Sequence, residues 1–212
     1  MKNLLIILLA FMAIGQGQAQ VKVGLKVSPG LNFNRTFVKE DSMPVSVDGN
    51  GAKIKVPFGA FVDIPFSERY YFTTGVNLVG KLSDLHYNLL TIGPISPDEK
   101  IRLQYLQLPL TFKLFTDEVS IDKRLYFQFG PTLDILLSSK GQGEKWISKI
   151  IFGDISFIFA GGLDFNIGPN TSMCIGVSYY RGLINIVKEH NLPVKDFSVK
   201  TDLLLLEIGI RP

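Results

Sequence analysis

Cysteine, histidine and charge are all scarce in this chain of 212 residues. Its single cysteine, Cys174, leaves no internal disulfide, and no CxxC or His-rich spacing supports a zinc site. As a small apolar strand residue, Cys174 needs no reactive role. Charged residues make up 19 %, less than the usual quarter of a soluble domain. The net charge of +3 gives no electrostatic footprint for nucleic acid, so no such partner is expected. Walker loops, dinucleotide fingerprints and calcium loops are missing, and no cofactor is expected. Beyond the first few residues no run of 18 apolar residues occurs, which excludes a membrane helix. Any crossing of a bilayer must then be made of strands.

What is present begins with a leader. Lys2 and Asn3 precede an apolar run from Leu4 to Ile14, and Gly15 to Ala19 supplies a small-residue exit with Gly17 and Ala19 at cleavage positions. The spacing predicts a signal peptide over 1–19, a mature chain from Gln20, and one barrel domain over 20–212. Losing Lys2 leaves 21 basic and 19 acidic residues, a net charge of +2. No cysteine follows the cleavage point, so a lipoprotein anchor is not indicated.

The mature chain alternates with period two, the mark of strands with unlike faces. Val21, Val23, Leu25, Val27, Leu31 and Phe33 share one face, and Lys22, Gly24, Lys26, Ser28, Gly30 and Asn32 the other. A second strand starts at Lys53, with Phe61 interrupting its polar face. Others are predicted over about 70–81, 103–115, 124–137, 155–167, 172–180 and 198–211, which makes eight. The last is the least regular, because Leu203 to Leu206 is a continuous apolar run. Connections alternate in length: long at 34–52, 83–102, 138–154 and 183–197, short at 65–69, 116–123 and 168–170. Outer-membrane barrels have long outer loops and short periplasmic turns, and an even strand number returns both termini to the periplasm. Trp146 falls in one long connection, either as an interfacial anchor or as an ordinary loop contact.

A soluble eight-stranded barrel would also alternate, so volume has to decide between the two. Eight strands enclose room for side chains or one small ligand, and several large Leu, Phe, Ile or Val residues per strand do not fit there. The opposite face, rich in Gly, Ser, Thr, Asn and Gln, suits a narrow lumen. In lipid every backbone group must be bonded within the protein, so such strands must close. The fold expected is all-β: an eight-stranded antiparallel up-and-down transmembrane β-barrel. Its lumen charges must then pair, since an isolated buried ion costs several kcal/mol. Lys26 or Lys22 is predicted to reach Glu207 across the closure seam. Asp63, Asp134 and Asp164 are predicted to meet Lys55, Lys81, Lys113 or Arg211, with solvation by lumen water as the rival.

Four segments carry a family resemblance: Tyr105-Leu-Gln-Leu-Pro-Leu-Thr-Phe-Lys113, Phe127-Gln-Phe-Gly-Pro131, Ala160-Gly-Gly-Leu-Asp164 and Tyr179-Tyr-Arg-Gly-Leu-Ile-Asn185. Together they resemble the PorT-like outer-membrane β-barrel proteins of Bacteroidota-type Gram-negative bacteria. The resemblance implies insertion from the periplasm by the barrel-insertion machinery, with outer-membrane lipid as surroundings. Some members are linked to protein secretion and gliding. One departure is the terminal Gly209-Ile-Arg-Pro212, which lacks the aromatic residue that ends many outer-membrane strands.

Three functions fit these features. The first is a non-enzymatic barrel that contacts other envelope or secretion proteins; a lumen filled by Lys, Asp, Tyr and Gln argues against a porin, which needs about 16 to 18 strands. The second is an enzyme with an outer-loop site, for which His86 with Asp84 and His190 with Glu189 would supply acid and base. No nucleophile motif surrounds either histidine, and solvated loop residues are the better explanation of both. A third is binding or transport of a small apolar ligand through the wall, where Gly161, Gly162, Pro109 or Pro131 could mark an opening, although bulges and curvature commonly need the same residues.

Overall fold

A computed structural model describes residues 21–38, 45–49, 51–89, 99–142, 147–190 and 197–212. The predicted leader, its cleavage point and Trp146 lie outside the described residues. Among the described residues thirteen strands are present: β1 (Lys22–Val27), β2 (Gly30–Val38), β3 (Val45–Gly49), β4 (Lys53–Lys55), β5 (Phe58–Pro65), β6 (Tyr70–Leu89), β7 (Glu99–Ser120), β8 (Lys123–Gln142), β9 (Ile147–Ile150), β10 (Gly153–Asn166), β11 (Ser172–Gly182), β12 (Val187–His190) and β13 (Phe197–Arg211).

Eight staves form the ring. β1 and β2 lie against β13 in one unbroken register, Leu25 opposite Ile210 and Gly30 opposite Leu205. β5 and β4 continue one another in the same way opposite β1 and β2. The interruptions fall at Pro29 and Pro57, which have no N–H to give the ladder. Their carbonyls still accept, from the Leu206 and Ser28 N–H groups at 2.8 Å each. From there β6, β7, β8, β10, β11 and β13 follow as antiparallel neighbours, and β13 closes on β1 and β2. Closure leaves no edge strand in the wall.

Several strands outrun their predicted ends. β7 has 22 residues and β6 and β8 have 20 each, whereas a tilted crossing takes roughly 9 to 11. Alternation marks a boundary between two unlike media, so it fades above the membrane while backbone pairing continues. β3 adds to the upper part of β6, and β9 pairs with β12 between the third and fourth outer connections. These segments lie where long loops were predicted. The predicted 116–123 turn shrinks to Ile121 and Asp122, with Asp122 in the left-handed region (φ 59) that short hairpin turns require.

The two faces separate as the period-two pattern demands. Leu25, Ile54, Phe58, Phe112, Phe159, Val177 and Leu206 are among the large apolar residues exposed on the outer wall. In the ambiguous run of the last strand, Leu204 and Leu206 face out while Leu203 and Leu205 are buried inside. Phe66, Tyr70, Phe72 and Phe112 form an aromatic group near the periplasmic rim, with neighbouring rings 6.1 to 6.3 Å apart, as expected of an interfacial girdle.

The interior is less uniformly hydrophilic than the sequence pattern implies. Phe61, Tyr71, Phe115, Tyr126 and Cys174 cluster toward the periplasmic end, and Val79, Ile158, Tyr180, Leu203 and Leu205 form a second group. A narrow barrel is filled by side chains packed at interior density, and small polar residues alone leave gaps. Tyr126 shows how tight this packing is, because its hydroxyl occupies the place where a Cβ on Gly176 would stand.

Candidate functional site

The lumen holds the charges that the alternation places inside, and they fall into three groups. Nearest the periplasm, Asp63 accepts from Arg211 Nη1 at 2.8 Å, Lys113 Nζ at 3.3 Å and Thr73 Oγ1 at 2.6 Å. Arg211 also pairs with Asp164, whose second oxygen lies 3.5 Å from Arg124 Nη2. Aromatic rings wrap these cations: Lys113 Nζ stands 4.8 Å from the Tyr126 ring centre, and the Arg211 guanidinium 5.7 Å from that of Phe115.

At the closure seam Lys26 Nζ is 3.1 Å from Glu207 Oε1, and the Tyr180 hydroxyl donates to the same oxygen at 3.1 Å. The chain ends place this pair, since Lys26 faces Gly209 across the seam. Toward the outer end, Lys81 Nζ bridges Asp134 Oδ2 at 2.7 Å and Asp154 Oδ2 at 2.8 Å, with all three side chains at most 1 % exposed. Thr132 and Ser156 hydroxyls approach Asp134 as well.

Lys22 and Lys55 behave differently, for neither forms an ion pair among the described residues. Lys22 lies at the periplasmic end of the barrel, half-buried, with the Arg211 and Arg124 cations among its charged neighbours. Lys55 precedes the Pro57 interruption, and its Cδ lies 3.8 Å from the place a Cβ on Gly80 would take; Gly80 shares the outward phase of Leu78, so the Lys55 side chain lies against the outer side of the wall and not in the predicted lumen network. Asp154 lies in β10 and not in the connection that the sequence pattern predicts, and Arg124 joins Asp164, a pair the pattern does not predict. The signal for Asp154 was its phase, because it shares the parity of Ser156.

A further cluster stands on the other side of the wall. Asp202 is fully buried, and it accepts from Arg35 Nε at 2.7 Å, Arg35 Nη2 at 2.9 Å, the Tyr179 hydroxyl at 2.9 Å and the Gly182 N–H at 3.0 Å. Asp202 shares the phase of Leu204, which puts this group on the outward face near the outer rim.

The hydroxyls that lie beside carboxylates, Thr73 on Asp63 and Ser156 on Asp134, are buried in the packed lumen, where a cation already engages each carboxylate. His86 and His190 lie on β6 and β12, with Asp48 and Ile147 as their respective partners across the ladder. Among the described residues no group of three His, Cys, Asp or Glu could hold a metal ion. Every lumen carboxylate above is instead engaged by a cation, which is a structural arrangement.

Lys26→Met is expected to lower the unfolding free energy by about 2–3 kcal/mol, because Glu207 keeps only Tyr180. Urea titration in lipid vesicles checks this, and K26M/E207L should recover most of the loss.

No curated protein sequence matches the chain significantly. In fold it is similar to the outer membrane protein OprG from Pseudomonas aeruginosa, with a TM-score of 0.50 at 11 % identity over 92 % of this chain and 98 % of that one. Neisserial surface protein A gives 0.48 at 12 % identity, over 91 % and 97 % of the two chains. Ail of Yersinia pestis, in complex with the heparin analogue sucrose octasulfate, gives 0.38 at 14 % identity, over 90 % and 99 %. At such identities the likeness concerns the fold alone. The sequence itself is more specific: residues 16–188 match the family described as outer membrane protein beta-barrel domain, and the chain belongs to that family.

Proposed function

We propose that this protein is a non-conducting, non-enzymatic anchor that holds a rigid outer platform for contact with another envelope component. The observation that carries this reading is the filled lumen. Charge groups engage one another at the periplasmic end, at the seam and toward the outer end, with apolar side chains packed between them. A solute crossing would have to break buried ion pairs, each worth several kcal/mol once a partner is left alone. Activity therefore belongs at the ends of the barrel. At the outer end, β3, the upper parts of β6 to β8 and the β9–β12 pair build an ordered surface of main-chain ladders.

In this reading residues 1–19 are a cleaved leader, and 20–212 are inserted from the periplasm by the barrel-insertion machinery. The resemblance to PorT-like proteins favours a secretion-associated partner. Transport of a small apolar ligand has less support: the apolar hollow lined by Leu25, Val27, Phe58, Met173, Ile208 and Ile210 opens on the lipid side of the wall.

Planar-bilayer recording of the purified protein should show no large, stable conductance. Steady openings would refute the sealed lumen. Replacing the β9 and β12 segments with short Gly/Ser turns should leave insertion intact and remove co-purification of the envelope partner under mild detergent.

A further inference from the structure

The geometry points to an anionic glycolipid site on the outer wall, where Arg181 and Lys200 flank the Arg35–Asp202 fork and receive the phosphate of an acylated saccharide in the outer leaflet.

Register places the group. Arg35 on β2 faces Lys200 on β13, and Asp202 on β13 faces Arg181 on β11, so the four occupy one patch across three adjacent staves. All share the outward phase with Leu204, Val177 and Leu31. Met173 and Arg181 bound the outward positions of β11. At about 3.3 Å per residue and a tilt near 40°, they are separated by roughly 20 Å along the membrane normal, most of an apolar band about 25 Å tall. Arg181 thus stands at the outer edge of that band, where a cation on the lipid face costs little and meets lipid headgroups.

The patch is ordered before any lipid arrives. Asp202 holds Arg35 through two nitrogens, and Arg35 Nη2 also donates to the Gly182 carbonyl at 2.9 Å. Tyr179 is fixed by the same carboxylate and stacks on Phe33 with ring centres 6.4 Å apart. Asp202 offsets Arg35, and so Arg181, which is exposed, and Lys200 supply two positive charges with no ion pair among the described residues. Phe33, Tyr179, Leu31 and Leu204 lie directly below them on the wall and suit acyl chains. A phosphorylated head above several acyl chains matches both halves at once. Arg102 and Lys140, also paired and exposed on β7 and β8, lack that arrangement, because Gln104 and Ser138 separate them from the apolar band.

Native mass spectrometry of the full chain in nonionic detergent tests the site, with a bis-phosphorylated, acylated glucosamine disaccharide (lipid A) as probe. The double variant R181E/K200E should bind at least tenfold more weakly, and R181Q/K200Q about threefold or more. R102E/K140E carries the same charge change and should bind like the parent. Heat-modifiable gel mobility establishes that each variant is folded. Equal affinity in R181E/K200E and the parent overturns the proposal. So does equal affinity for the dephosphorylated probe, or for phosphatidylglycerol, which would reduce the patch to a general attraction for anionic surfaces.

Discussion

Lys81→Met is expected to be the most damaging single substitution in the lumen, with a loss of about 3–5 kcal/mol in unfolding free energy. Lys81 is the cation shared by Asp134 and Asp154, and the three side chains are at most 1 % exposed. Methionine fills similar volume, so the loss isolates charge rather than shape. Two carboxylates are then left facing each other away from bulk water, and one must take up a proton or draw water into the packing. Urea titration in vesicles gives the magnitude. The triple variant K81M/D134N/D154N removes the charges together and should recover most of it. If K81M alone were neutral, the outer part of the lumen would be wet and the sealed-barrel account would lose its main support.

Gly176→Val comes second, at about 2–3 kcal/mol, through overpacking. A Cβ at this position would meet the Tyr126 hydroxyl, and Gly161 O at 2.6 Å as well. The wall cannot step back, because β11 is hydrogen-bonded to β10 on one side and β13 on the other. G176A with Y126F, in which the obstructing oxygen is gone, should be clearly more stable than G176A alone. The comparison, read from the same urea titrations, separates a clash with Tyr126 from a general demand for glycine in the strand.

The fold was legible because the bilayer writes a simple rule into the sequence. Leu106, Leu108, Leu110, Phe112 and Leu114 alternate with residues that must pack in a narrow space, and the same device recurs in the other staves. Where that rule lapses, sequence reasoning lapses too. Residues 83–89 and 99–102 continue as strands above the membrane, where no medium enforces alternation, inside the connection that the sequence pattern predicts over 83–102. The Leu203–Leu206 run blurs its phase because both faces are apolar there, yet the alternation of Glu207, Gly209 and Arg211 still sets Leu204 and Leu206 outward, and the second interior cluster claims Leu203 and Leu205.

The charges were readable by phase and only partly by partner. Glu207 and Lys26 could be matched because closure of a barrel makes its first and last strands neighbours. Lys81 could be placed inside, but its second carboxylate, Asp154, was hidden by the assumption that a strand begins where its apolar residues begin. Lys55 opposes Gly30 in the register, yet its side chain runs along the outer side of Gly80 and forms no ion pair among the described residues, since the ladder breaks just after it at Pro57. The Arg35–Asp202 fork breaks the apolar phase of its strands, and a charge in the lipid-facing phase is the mark of a membrane rim.

The most direct measurement uses the unaltered protein in bilayers containing a lipid with a photoactivatable diazirine near mid-chain, followed by peptide mass spectrometry. Leu204, Leu206, Ile208 and Ile210 should carry the label, with Leu203, Leu205 and Glu207 unlabelled. Labelling of Leu203 and Leu205 in place of their neighbours, or equal labelling along the whole run, would contradict a wall whose apolar face meets lipid around a filled interior.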